Sequence, residues 1–230
     1  MTHLWLFEYE TWAAMLGSRI DSLITSQEQA RAQRYVYPAG RRSYRLTRAM
    51  LRWLLSRYLR RDPRSLNFKT SAYGKPCLAD EALHFNLSHS DDVLAIGVAN
   101  EELGVDIEAG YSGLKPDELA RSILSPKDFD AYAGLSAARR RAFVLRRWTE
   151  QEAFSKAIGM GLALKPGSCQ WHRLDAHTMC VSRRGVDEAP WHSRYLGRFR
   201  NCHLSICSRC SDSLQVFAPT SRAHIFPTQA

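Results

Sequence analysis

Apolar positions along this chain change period several times, and each change marks an element. The opening "MTHLWLFEYE" (1–10) is rich in apolar and aromatic residues and reads as a first strand. The segment "GRRSYRLTRAMLRWLLSRYLRRDP" (40–63) has helical spacing and stops at Pro63. At 100° per residue, Leu46, Met50, Trp53 and Leu54 share one side of that helix, while Arg41, Arg45, Arg48 and Arg52 form a stripe on the other. Short strands follow: "YGKP" (73–76) is a turn, "FNLSHS" (85–90) a strand entering a polar loop, and "VLAIGVA" (93–99) a buried strand. Pro116 and the Ser125-Pro126 step read as two helix starts. The stretch "LSAARRRAFVLRRWTEQEAFSKAIGMG" (135–161) then reads as one long helix stopped by Gly159 and Gly161. Trp148, Glu152 and Lys156 are four apart and share a face of it. "CQWHRL", "TMCVSR", "NCHLSICS" and "LQVFA" return to strands, and the tail from residue 219 is polar. "VLAIGVA" and "HLSICS" echo each other near the end of two strand-rich blocks, and each half holds one long helix. The pattern therefore hints at an α+β chain of two similar halves, with the boundary near 104–112 and a ligand cleft between them.

In "LGVDIEAG" (103–110), Asp106 and Glu108 alternate with β-branched Val105 and Ile107. Strand periodicity puts both carboxylates on one face, where each raises the pKa of the other unless a cation lies between them. Two readings stand: the solvated face of an antiparallel strand, or a divalent-metal site.

Length and composition narrow the classes. The chain has 230 residues with 45% hydrophobic and 24% charged, enough for one large or two small globular domains. No apolar run reaches the roughly 18 residues of a membrane span, and the N-terminus lacks the charged and small-residue regions of a secretory signal. A cytoplasmic protein is expected. Its six cysteines make no disulfide framework of the small secreted kind; the lone Cys207–Cys210 pair reads as free thiols. The net charge is +9, and residues 31–64 alone hold eleven Arg against one acid, Asp62. Such a segment predicts an anionic partner: nucleic acid, a phosphorylated cofactor or an acidic protein.

Asp106 and Glu108 on a strand and Glu152 on a helix form an all-oxygen donor set of the kind that suits Mg²⁺. Lys156, one turn from Glu152, is placed to neutralise a phosphate on the same metal. With Lys75, Ser88, His89 and the arginine stripe, the set supplies metal, base and phosphate clamps for phosphoryl-group chemistry. A nucleic-acid-binding protein explains the arginines but not three acids, so nucleic acid is not expected as a partner. A metal-dependent phosphohydrolase uses the same acids and remains a second reading.

The order "YGKP", "FNLSHS", "GVDIE", "WTEQEAFSKAIGMGL" resembles the Sfp-type 4′-phosphopantetheinyl transferases over roughly residues 25–170, with weaker strand matches to about 217. The resemblance implies two similar α/β subdomains related by a pseudo-twofold, residues 1–105 and 106–218, followed by a tail over 219–230. It implies transfer of the 4′-phosphopantetheine group from coenzyme A to a serine of an apo acyl or peptidyl carrier protein, with release of 3′,5′-ADP. The implied metal ligands are Asp106, Glu108 and Glu152, holding Mg²⁺, with Mn²⁺ as a substitute. Glu152 and Lys156 are the implied catalytic pair, and Lys75, Ser88 and His89 the implied coenzyme A contacts, joined by arginines among Arg41, Arg42, Arg45 and Arg48. The implied partner is an acidic carrier protein, met by a monomer that is itself a pseudo-dimer, with no membrane. Two positions depart from the family pattern. Gln151 stands where the family often has Lys, and Asp128 stands where it often has Glu, which moves the expected base role to Glu152.

Overall fold

The computed structural model describes residues 1–110, 113–165, 168–186, 188–209 and 214–219. Strand β1 (Thr2–Glu8) leads into helices α1 (Tyr9–Leu16), α2 (Ile20–Leu23) and α3 (Ser26–Gln33), then the long helix α4 (Pro38–Leu59). A small hairpin, β2 (Phe68–Thr70) and β3 (Pro76–Leu78), precedes β4 (His84–Ser90) and β5 (Val93–Ala99). The second half runs β6 (Leu103–Ala109), α5 (Pro116–Ile123), α6 (Pro126–Ala133), α7 (Ala137–Ala157), β7 (Cys169–Arg173), β8 (Thr178–Arg183), β9 (Trp191–Phe199) and β10 (Cys202–Ser208). β11 (Leu214–Phe217) closes the described chain.

The two sheets have the order β11-β1-β5-β4 and β6-β10-β9-β8-β7. Each half repeats one plan. Its first strand pairs antiparallel with its last, and the last pairs antiparallel with the one before it: β1-β5-β4 and β6-β10-β9. The echo between "VLAIGVA" and "HLSICS" is this plan, since they are β5 and β10, the strands second from the repeated edge. The boundary expected at 105/106 falls inside β6, and β11 returns to the first sheet beside β1 in parallel.

Helix α4 starts on Pro38, whose missing N–H costs nothing at the first helical position, and ends at Arg60 in a left-handed turn. Its apolar side, including Leu46, Met50 and Leu54, joins Trp5, Phe7, Trp12 and Ile96 in the core of the first half. A second core lies between the halves, where Leu4, Leu6 and Val93 meet Val105, Ile107, Leu204 and Ile206. No helix among the described residues is long and apolar enough to cross a membrane.

Much of the arginine stripe is paired with acids of the preceding helices. Arg52 is buried and, with Arg48, clasps Glu28 on α3 at 2.6 Å each. Arg45 pairs with Asp21 and Arg42 with Glu10. These acids precede the helix in sequence and reach it only when α1–α3 fold back over it.

Candidate active site

β4 and β6 belong to different sheets yet run side by side, and β4 closes the gap with side chains. Every second residue of β4 points at β6. Asn86 Oδ1 accepts the Val105 N–H at 2.8 Å, Ser88 Oγ donates to Asp106 Oδ1 at 2.9 Å, and Ser90 Oγ accepts the Ala109 N–H at 2.9 Å while donating to Glu108 Oε1 at 3.3 Å. The serines of one half thus orient both acids of the other.

Helix α7 covers the same face of β6. Its Ala153 and Ala157 lie against Gly104, where there is no room for a side chain. Thr149 Oγ1 meets Ser205 Oγ at 3.0 Å on β10, which pins the helix laterally. This close seat brings Lys156 Nζ to 2.6 Å from Asp106 Oδ1 and 2.8 Å from Ser88 Oγ, so Asp106, Ser88 and Lys156 form a closed hydrogen-bonded triangle. Asp106 is buried, and its second oxygen, Oδ2, is buried with no hydrogen-bond partner among the described residues.

The electrostatics follow from this crowding. Burial raises the Glu108 carboxyl, and the neighbouring Asp106 raises it further, against the opposing pull of Ser90 and Lys156. Burial likewise raises Glu152, helped by Asp106 and Glu108 and resisted by Lys156. Both carboxylates respond to the charge on Asp106. Among the described residues, however, no three His, Cys, Asp or Glu side chains are gathered closely enough to form a ready metal centre.

A cavity of about 1130 Å³ opens along the first half between α3, α4, the β2–β3 hairpin and β4. Arg31, Arg34, Arg48, Arg52, Lys69 and His89 contribute its cationic or titratable lining. Burial would raise Glu28 in its wall, but Arg52, Arg48 and the Thr25 N–H outweigh it and hold that carboxyl below its usual value. His89 lies at the β4 end of the cavity, next in chain to Ser88 of the triangle, so cavity and acid cluster adjoin through one strand. Burial, with Lys156 adding to it, lowers the His89 pKa.

The structure separates the remaining candidates. Of Arg41, Arg42, Arg45 and Arg48, only Arg48 lines the cavity. Arg41 reaches the Tyr35 carbonyl at 3.4 Å. Lys75 is spent elsewhere: its Nζ donates to Ala157 O at 2.7 Å and Leu103 O at 3.1 Å, tying the hairpin to the C-terminal end of α7, and burial lowers its pKa. Gln151 donates to the Ile123 carbonyl at 2.7 Å, and Asp128 lies 3.7 Å from buried Arg147, so both departures from the family pattern fasten α5 and α6 to α7. Cys207 is fully buried, and Cys210 lies outside the described residues, as does the tail beyond residue 219. Arg31, Arg34 and Lys69 are cavity cations that the sequence reading did not single out. The first two lie in the same arginine-rich segment, and their position at the end of α3 was the available signal.

Comparison with known proteins agrees with this geometry. Residues 102–207 match the model of the 4′-phosphopantetheinyl transferase superfamily, and residues 5–101 match that of the 4′-phosphopantetheinyl transferase N-terminal region. The chain is 32% identical over 167 residues to the 4′-phosphopantetheinyl transferase HetI of Nostoc sp., covering 70% of each chain. It is 27% identical over 151 residues to the transferase Sfp of Bacillus subtilis, covering 64% of this chain and 66% of that one. It is 26% identical over 194 residues to psf-1 of Bacillus pumilus, covering 83% and 81%. With both halves matched and the repeated strand plan in place, the chain belongs to the 4′-phosphopantetheinyl transferase superfamily.

Proposed function

We propose that this protein moves the 4′-phosphopantetheine group of coenzyme A onto a serine hydroxyl of an apo carrier protein and releases 3′,5′-ADP. The observation that carries the reading is the Asp106–Ser88–Lys156 triangle beside Glu108 and Glu152, one residue along β4 from His89 in the wall of a basic cavity. In this reading Arg31, Arg34, Arg48 and Lys69 receive the phosphorylated nucleotide end of the donor. The pyrophosphate then lies where His89 and Ser88 meet the acid cluster.

In the reaction, the acceptor oxygen forms a bond to the phosphorus on the pantetheine side as the bond from that phosphorus to the bridging oxygen breaks. The electron pair leaves on 3′,5′-ADP. Glu152 takes the serine proton. Lys156 supplies positive charge where negative charge grows on the leaving group.

The donor set fits a hard divalent cation: it is all oxygen, Asp106 Oδ2 is buried with no hydrogen-bond partner among the described residues, and burial, joined by repulsion from the neighbouring acids, raises Glu108 and Glu152. Asp106, Glu108 and Glu152 would hold Mg²⁺, which when bound supplies charge neutralisation on the pyrophosphate. Lys156, bonded here to Asp106 Oδ1 and Ser88 Oγ, would supply its charge to the phosphates.

Incubation with coenzyme A, Mg²⁺ and apo carrier protein tests this, with the carrier weighed by mass spectrometry. The expected result is a gain of one phosphopantetheine that EDTA abolishes. Release of 3′,5′-ADP with no change in carrier mass would instead favour a phosphohydrolase.

A further inference from the structure

The β2–β3 hairpin touches both parts of the candidate site. Its Lys69, Thr70, Gly74 and Pro76 line the basic cavity, whereas Lys75, between the last two, does not. The turn is closed on itself. The Ser71 N–H donates to the Lys75 carbonyl at 2.8 Å, the Gly74 N–H to the Ser71 carbonyl at 2.9 Å, and the Lys75 N–H to Ser71 Oγ at 3.1 Å. Gly74 completes it at a φ of +84°, which glycine adopts without steric cost. The Lys75 side chain therefore starts from a fixed base.

From that base the ammonium group reaches the second half of the chain. Nζ donates to the carbonyl of Ala157, the last residue of α7, and to that of Leu103, the first residue of β6. The last four carbonyls of a helix have no partner within it, and a cation there also meets the negative end of the helix dipole. Lys75 satisfies one of those carbonyls from a hairpin far away in sequence. Its stem runs past the point where α7 stops: a Cβ on Gly159, itself in a left-handed turn at φ +73°, would lie 3.5 Å from Lys75 Cδ. The two elements it joins carry the acid cluster. Ala157 follows Lys156 directly, and Leu103 opens the strand that holds Asp106 and Glu108, so the clamp sits beside the Lys156–Asp106 bond.

We infer that Lys75 is a positioning residue that couples filling of the basic cavity to the seat of α7. A donor held against the hairpin braces, through Lys75, the helix end that carries Lys156. The inference rests on the transferase reading above. It changes the part that the family resemblance gives to Lys75, from a contact with the donor's phosphates to a brace between hairpin and helix.

The test compares wild type with Lys75→Met, which keeps the stem and loses the N–H donors, and with Lys75→Arg, which keeps charge and donors. Hydrogen exchange with and without coenzyme A follows two sets of amides. Ser71, Gly74 and Lys75 report on the turn, and Ile158, Gly159 and Met160, bonded to the carbonyls of Phe154, Lys156 and Ser155, report on the helix end. In wild type, coenzyme A should slow both sets, the helix end by about fivefold. In Lys75→Met it should slow the turn alone. Loading of apo acyl carrier protein by Lys75→Met should show kcat lowered about tenfold, with coenzyme A affinity by calorimetry within about twofold of wild type. Lys75→Arg should recover most of that kcat. A wild-type helix end that exchanges at one rate with and without coenzyme A overturns the inference. So does a Lys75→Met protein with a lower Tm but with kcat and the helix-end response intact, which would make the clamp structural only. A loss of coenzyme A affinity as large as the loss of kcat/KM, with the helix-end response kept, overturns it too and returns Lys75 to the donor's phosphates. A wild type whose helix end responds to coenzyme A through Lys75 but which loads no carrier supports the coupling and counts against the transferase reading.

Discussion

Gly104 is where helix α7 touches strand β6. A Cβ placed there would lie 2.0 Å from the Ala153 carbonyl oxygen and 2.3 Å from the Ala157 nitrogen, both backbone atoms of α7. Neither can swing aside as a side-chain tip could, so Gly104→Ala must lift the helix off β6. The expected cost is on the order of 3 kcal/mol, the upper range for overpacking, which for a chain of this length lowers Tm by roughly 6–12 °C. The same shift draws Glu152 and Lys156 away from Asp106, so carrier loading should fall well below what the remaining folded fraction explains. A melting curve beside a loading assay checks both, and a wild-type Tm would mean that α7 has room to move. The acids themselves were legible in sequence because period-two alternation is local. The fit at Gly104 was not, since its partners lie about fifty residues further on and a glycine carries no pattern.

Helix α4 shows the same limit one scale up. Its apolar face was readable from 3.6-residue spacing, and the structure keeps it. The pairing of its arginine face was not readable, because pairing depends on what folds against it. Thr25 caps α3 in a reciprocal box with Glu28, which fixes that carboxylate where Arg48 and Arg52 can clasp it from α4. Glu28 is therefore a joint between two helices. Removing its charge by Glu28→Gln leaves two guanidinium groups without a counter-charge, one of them buried, at a cost of about 3–5 kcal/mol at neutral pH. The pH dependence has a definite sign. Although burial pushes Glu28 up, the arginines hold its folded pKa below its ordinary 4.5. Its contribution is thus present above that value and is lost as pH falls through the lower folded value. Urea unfolding of wild type and Glu28→Gln should show a large gap at pH 7 that narrows below about pH 4.5. A gap constant with pH would mean that the pair contributes through packing alone.

For the whole molecule, the repeated plan suggests two separable halves, and the two family matches meet at residues 101 and 102. The packing argues for one cooperative unit instead. Leu4, Leu6 and Val93 of the first sheet bury themselves against Val105, Ile107, Leu204 and Ile206 of the second. Those three side chains alone represent about 1.5–3 kcal/mol each, comparable in sum with the roughly 5–15 kcal/mol of a typical domain's stability. The β4 side chains that satisfy the Val105 and Ala109 N–H groups add polar bonds across the same seam, and β11 crosses back to flank β1. A fragment of residues 1–101 therefore loses its partner core and one sheet neighbour together. Alone, it should bind a hydrophobic dye and show no sharp melt. Mixed with residues 102–230, it should recover a single transition and, with it, carrier loading, because Ser88 and Asp106 come from opposite fragments and the triangle exists only when both are present. A cooperative melt from 1–101 alone would make the halves independent domains, and the acid cluster would then be assembled by docking rather than by folding.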